Sequence, residues 1–277
     1  MNFVNAAAEL YIPDGDPAGI KRATHLCVAA HQDDVEIMAY APIAECYNSK
    51  DKFFASVTLT DGAGSPRTGK FAHMTDEEMK KVRAEEQKNA ARLGRYCAAA
   101  LLAYPSSEIK RPGGAAKELQ TVFCEAQAEY IYLHNLADKH DTHVAAALRC
   151  IEALRNIKSI YRPKKIIMLE VWRGLDWLCD EDKLLLDTSP YPKLAASLLD
   201  VYESQIAGGK SYRNAALGRR YANATFLESH STDKLSSVSY GMDVTDFVYS
   251  DLSPASFIAE YIKKLEQDVM GRIERLS

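Results

Sequence analysis

From residue 25 onward the chain alternates short apolar runs with longer stretches whose apolar residues recur every three or four positions. The runs at 25–30, 53–60, 97–104, 129–134 and 164–172 predict strands, and the stretches at about 41–49, 76–93, 115–127 and 142–157 predict helices. Strands alternating with helices are the signature of a parallel sheet covered on both faces. Thr75 and Glu78 form a capping box at the start of the second helix, and Gly94 supplies its stop. Pro42 fits the first helix only if that helix begins there, which makes 35–41 a connecting loop. Beyond about residue 175 the alternation loosens into a helical stretch near 191–206, a region containing Gly and Ser, and a last helix near 255–275. The expectation is an α/β, Rossmann-like three-layer fold, a mostly parallel sheet flanked by helices. The whole of 1–277 is read as one domain, with a core of about 22–175 and a part at about 176–277 that completes the fold and the substrate rim.

Composition narrows the partners. The chain is 47% hydrophobic and 26% charged with a formal net charge of -4 and no long run of one sign, which argues against a nucleic-acid footprint. The longest apolar stretch, "YCAAALLAYP" at 96–105, is too short to span a bilayer, and the first twenty residues carry no basic residue and no long apolar run. A cytoplasmic protein is expected. Cysteines 27, 46, 97, 124, 150 and 179 are widely spaced without a Cys-x-x-Cys pair, so they read as buried free thiols. Any metal should then be held by His and Asp.

The polar clusters all follow strands. "HQDD" comes after the first, "DGAGSPRTGK" after the second, "PSS" after the third, "NLADKHDTH" after the fourth and "RGLD" after the fifth. In an open doubly wound sheet that edge is where ligands bind, so five loops should converge on one crevice. His31 with an aspartate of the pair Asp33/Asp34, and a histidine of the pair His140/His143, make three ligands with one position left open, the pattern of a catalytic zinc site. The second aspartate is then free to act as general base. Asp141 or Thr142 is placed to cap the helix that begins there. His25, His73 and His134 read as structural residues. The loop 61–74, with Gly62, Gly64 and Gly69, suits a lid or a substrate rim, and Trp172, Arg173 and Asp176 suit a sugar-binding wall.

At these residues the sequence resembles the PIG-L/LmbE-like zinc-dependent N-deacetylases. The family carries Ala-His-Pro-Asp-Asp after its first strand, where this chain has "AHQDD". Its later segment is commonly Asp-x-His-x-Asp-His, where this chain has "DKHDTH". "TDGAGS", Arg83 with Glu86, Leu93-Gly94, "YESQI" at 202–206 and "RRYANATF" at 219–226 are similar to further elements of the family, so the likeness extends over most of 25–230. The resemblance implies an LmbE-like fold and one zinc ion per chain held by His31, Asp34 and His143. It implies Asp33 as general base, His140 as the group that stabilises the oxyanion or protonates the leaving amine, and Arg83 as a substrate contact. The activity it implies is removal of an N-acetyl group from an N-acetylglucosamine-type amino sugar or glycoconjugate, releasing acetate and a free amine. Self-association is expected by analogy with relatives.

The chain departs from the family at three places. Gln32 replaces the usual proline, Thr142 stands where an aspartate is common, and Pro105, Ser106 and Ser107 stand where some sugar deacetylases have an aspartate. Two other readings compete. One is an amidase acting on a larger N-acyl group of a thiol conjugate; the other is a metal-binding protein without turnover. A nucleotide-binding Rossmann domain is disfavoured because no Gly-x-Gly-x-x-Gly follows the first strand.

Overall fold

A computed structural model describes residues 1–228 and 230–277. Along the chain the elements are β1 (Glu9–Tyr11), β2 (His25–Ala29), α1 (Asp34–Met38), α2 (Tyr40–Cys46), β3 (Phe54–Thr60), α3 (Asp76–Leu93), β4 (Ala98–Tyr104), α4 (Ser106–Ile109), α5 (Ala116–Ala126), β5 (Tyr130–His134), α6 (Asp141–Arg155) and β6 (Lys165–Leu169). They continue with β7 (Leu184–Asp187), α7 (Pro192–Asp200), α8 (Glu203–Ala207), α9 (Tyr212–Phe226), β8 (Val238–Asp243), α10 (Thr245–Val248) and α11 (Pro254–Leu276). The sheet order is β1-β4-β3-β2-β5-β6-β8-β7. β4, β3, β2, β5 and β6 run parallel, while β1, β8 and β7 pair antiparallel at the two margins.

Successive residues of a strand point to opposite faces, and here both faces are buried. Leu26 and Val28 of β2 join one apolar cluster with α5, α6 and Phe257 of α11. Cys27 and Ala29 join the other with α1, α2, α3 and α7. This double burial is why the strands read as continuous apolar runs. The six cysteines are free thiols, four of them buried and Cys124 and Cys179 partly exposed. No helix among the described residues is long and apolar enough to cross a membrane.

Three local expectations need correction. The segment 35–41 is not a loop: α1 and α2 fill it, and Pro42 sits in the first turn of α2, where its missing N–H leaves no helical bond unmade. The cap of α6 is His140, whose Nδ1 accepts the Thr142 N–H, and not Asp141 or Thr142. The region 208–253 holds α9, β8 and α10, which no apolar periodicity announced. By contrast, the Thr75–Glu78 capping box of α3 is present in both directions.

The strand order fixes where a site can form. β2 lies between β3 and β5, and the chain leaves it toward β3 and β4 on one side, then returns to β5 and β6 on the other. The loops after β2 and β5 therefore diverge at the carboxyl edge and open a crevice between them.

Candidate active site

The loop after β2 carries His31, Gln32 and Asp33 into α1, and the loop after β5 carries Asn135–His140 into α6. Their side chains meet. His31 Nδ1 lies 3.1 Å from Asp34 Oδ2, His143 Nε2 lies 3.2 Å from the same oxygen, and the two nitrogens are 3.2 Å apart. These three atoms form a nearly equilateral triangle that could hold a metal ion. A tetrahedral ion with bonds of about 2.0–2.1 Å requires edges of about 3.3 Å, so two imidazoles and a carboxylate at this spacing fit a divalent ion such as zinc.

Around the triangle the support is specific. His143 Nδ1 contacts Asp138 Oδ2 at 3.2 Å, which fixes the ring with its Nε2 toward the triangle. Asp138 also accepts the N–H groups of His140 and Val171, at 3.0 and 3.3 Å. His134, read from sequence as structural, is fully buried behind the cluster. Its Nε2 accepts the Ala30 N–H at 2.9 Å, and its ring stacks on His143 at 4.1 Å. Both Asp138 and His134 belong to the site's framework, and sequence reasoning assigned neither. The one signal for Asp138 was its place in the same loop, five positions before His143.

The electrostatics separate the adjacent aspartates. Burial pushes the Asp33 carboxyl up to about 6, with Arg83 opposing and Asp34 adding to the rise. Asp34 is as deeply buried, yet the charges of His143 and His31 outweigh desolvation and hold it well below the usual carboxylate range. His143 is correspondingly raised to about 10, burial being overcome by Asp34 and Asp138. Asp33 also has φ 101°, a backbone region costing a non-glycine residue about 1–3 kcal/mol, retained here by the contacts around it.

Arg83 is buried, 2% exposed, and its terminal nitrogens are occupied by protein partners. Nη2 donates to Asp33 Oδ2 at 2.9 Å and to the Gln32 carbonyl, while Nη1 donates to Glu86 Oε2 at 2.7 Å and Ser204 Oγ at 3.3 Å. Gly62, at φ +75°, lets the loop after β3 pass this close: a Cβ there would stand 2.8 Å from Arg83. Gln32, in the place of the family's proline, ties the loop to β3 through Nε2 and the Thr60 carbonyl, 2.8 Å.

The triangle opens on a cavity of about 350 Å³. Four of the five expected loops reach it, contributing His31 to Asp34, Gly62 to Pro66 in part, Ser106 with Lys110, and His140 to His143 in part. The fifth, 173–176, contributes no lining residue, and only Trp172 just before it stands on the wall. Arg173 turns to a neighbouring cleft with Gly174 and Arg219, and Asp176 lines neither. The carboxyl-terminal part adds Gln205 and Tyr212, which the sequence did not single out as site residues. The half-buried Tyr212 hydroxyl is pushed well above its usual range by burial and by Asp33 and Asp34.

Comparisons with known proteins agree with this architecture. The fold resembles that of N,N'-diacetylchitobiose deacetylase from Pyrococcus horikoshii, with a TM-score of 0.64 at 15% identity over 86% of this chain and 91% of that one. It is as similar to GalB, the 4-carboxy-2-hydroxymuconate hydratase of Pseudomonas putida KT2440, with a TM-score of 0.64 at 18% identity over 83% and 100% of the two chains. A deacetylase of teicoplanin biosynthesis gives 0.55 at 14% identity over 83% and 99%. At these identities the likeness concerns the fold. No curated protein matches the sequence. Residues 26–154, which hold His31, Asp33, Asp34, Arg83, His140 and His143, match the family described as PIG-L: GlcNAc-PI de-N-acetylase.

Proposed function

We propose that the protein is a metal-dependent N-deacetylase that hydrolyses the acetamide of an N-acetylated amino sugar. The observation that carries this reading is the triangle of His31, Asp34 and His143 lining a cavity, with a second aspartate, Asp33, beside it. The family match over 26–154 and the deacetylases among the fold neighbours support it. Residues 176–277 act with the core as one unit by adding Gln205 and Tyr212 to the rim.

A divalent ion held by His31, Asp34 and His143, zinc by preference, would supply Lewis acidity, lowering the pKa of a water toward about 7 and polarising the acyl oxygen. The chain's own groups do the rest. Asp33, oriented by Arg83 Nη2, accepts the proton as the water oxygen bonds to the acyl carbon. The His140 Nδ1 lone pair is used by the Thr142 N–H, so its Nε2 bears the proton and serves as donor to the acyl oxygen. Asp33 then passes that proton to the amide nitrogen, the carbon–nitrogen bond breaks, and acetate and the amine leave. Arg83 acts here through Asp33, as a positioning residue.

The test is acetate release from N-acetylglucosamine, N,N'-diacetylchitobiose and N-acetylglucosamine glycosides by the zinc-loaded chain. Asp33→Asn should retain the metal and lose about 10²–10⁴-fold in turnover. Release of acetate also separates this chemistry from the hydration carried by a neighbour of the same fold, because only amide hydrolysis yields acetate and an amine. Turnover of the Asn variant close to wild type would remove Asp33 from the role of base.

A further inference from the structure

One polar group of the cavity has no part in this mechanism. Tyr212 opens α9 and lines the wall together with His31, Asp33, Asp34, His140 and His143. No described protein group hydrogen-bonds its hydroxyl, and the charges that act on it are those of Asp33, Asp34 and Arg83. The phenol thus stands on the wall of the same cavity that the His31–Asp34–His143 triangle opens on. Its neighbours on the same wall are committed elsewhere: the Arg83 terminal nitrogens to Asp33, Gln32, Glu86 and Ser204, and Gln205 Nε2 to Ser204 Oγ at 3.3 Å.

The local backbone explains the placement. α8 ends at Ala207, and Gly209 takes φ +86°, a conformation that an L side chain resists. The chain turns sharply there and α9 begins with Tyr212 at the cavity. A phenol keeps its proton at neutral pH and presents one O–H donor. Amide hydrolysis creates a need for such donors, because negative charge grows on the acyl oxygen when the carbon becomes tetrahedral.

We propose that Tyr212 is a further catalytic residue, whose hydroxyl donates a hydrogen bond to the acyl oxygen beside that of His140. The inference rests on the deacetylase reading. It needs no proton transfer from the phenol, only a hydrogen bond that strengthens as charge develops.

The experiment compares wild type with Tyr212→Phe, both zinc-loaded. Loss of an oxyanion donor should lower kcat by about 10²-fold, with zinc content, thermal midpoint and KM essentially unchanged. A variant within threefold of wild type in kcat overturns the proposal. If wild type itself releases no acetate from any probe, the deacetylase reading falls, and Tyr212 is then judged by calorimetric binding of methylphosphonate, a tetrahedral mimic of the hydrated acetyl group. Binding about tenfold weaker in Tyr212→Phe supports the donor role, and equal binding, or none to either chain, overturns it.

Discussion

Asp34 and Glu36 lie two residues apart on the short helix α1, both buried, and their surroundings treat them in opposite ways. Asp34 stands among imidazoles, and its carboxyl is held far down. Glu36 is enclosed by neutral donors, the Tyr96 hydroxyl at 2.7 Å, Gln87 Nε2 at 3.1 Å and the Tyr202 hydroxyl, and burial lifts its carboxyl to about 7. The first cluster converges three electron-pair donors on one point and calls for a cation. The second closes on itself and needs nothing further. A buried polar group thus marks a binding site when its partners leave a shared gap, and a piece of scaffold when they do not.

The comparison breaks most completely at His143. His143→Ala removes one corner of the triangle and leaves Asp34 without its main positive neighbour. After identical dialysis the variant should contain no zinc where wild type retains about one ion per chain, measured by atomic emission. Equal content in the two would mean that the triangle is not the binding site.

The Glu36 cluster offers a pH signature of its own. Burial lifts its folded pKa to about 7 from the ordinary glutamate value of 4.5, so between these pH values the native chain holds a proton that the unfolded chain has released. Stability must therefore fall as pH rises through that window, by up to about 3 kcal/mol from this group. Glu36→Gln cannot ionise. Urea unfolding of both metal-free chains from pH 4.5 to 7.5 should show the variant losing less stability than wild type, and parallel curves would refute the assignment.

A smaller effect is expected behind the His31–Asp34–His143 triangle. Asp138→Asn keeps the size of the side chain but weakens the charge that holds His143 in its tautomer. Zinc affinity should drop by about 10–100-fold in a competition titration with a chromophoric chelator. An unchanged affinity would make Asp138 a loop fastener only, acting through the N–H groups of His140 and Val171.

Legibility in the sequence followed burial and spacing. The strands from β2 to β6 were readable because burial on both faces leaves an uninterrupted apolar run, and α3 because its cap is local. α9 and β8 were not. Most of α9 faces solvent with few apolar positions, and β8 exists by pairing with β6 and β7 rather than by its own pattern. Within the site, "HQDD" and "DKHDTH" brought forward His31, Asp33, Asp34, His140 and His143, and the structure places all five around one cavity. His134 gave no such signal: a histidine at a strand end means nothing until the neighbouring strand brings Ala30 to its Nε2.

Periodicity and short spacing were enough to set the alternation of strands and helices, the loops that carry charge and the residue types able to hold a metal. The tertiary structure decided which atoms meet. Order in the sheet set the loops after β2 and β5 side by side, Arg83 was drawn inward onto Asp33, and Tyr212 came from a distant helix to the cavity wall. Contacts between residues far apart in the chain are fixed by packing, and packing leaves no local mark in the sequence.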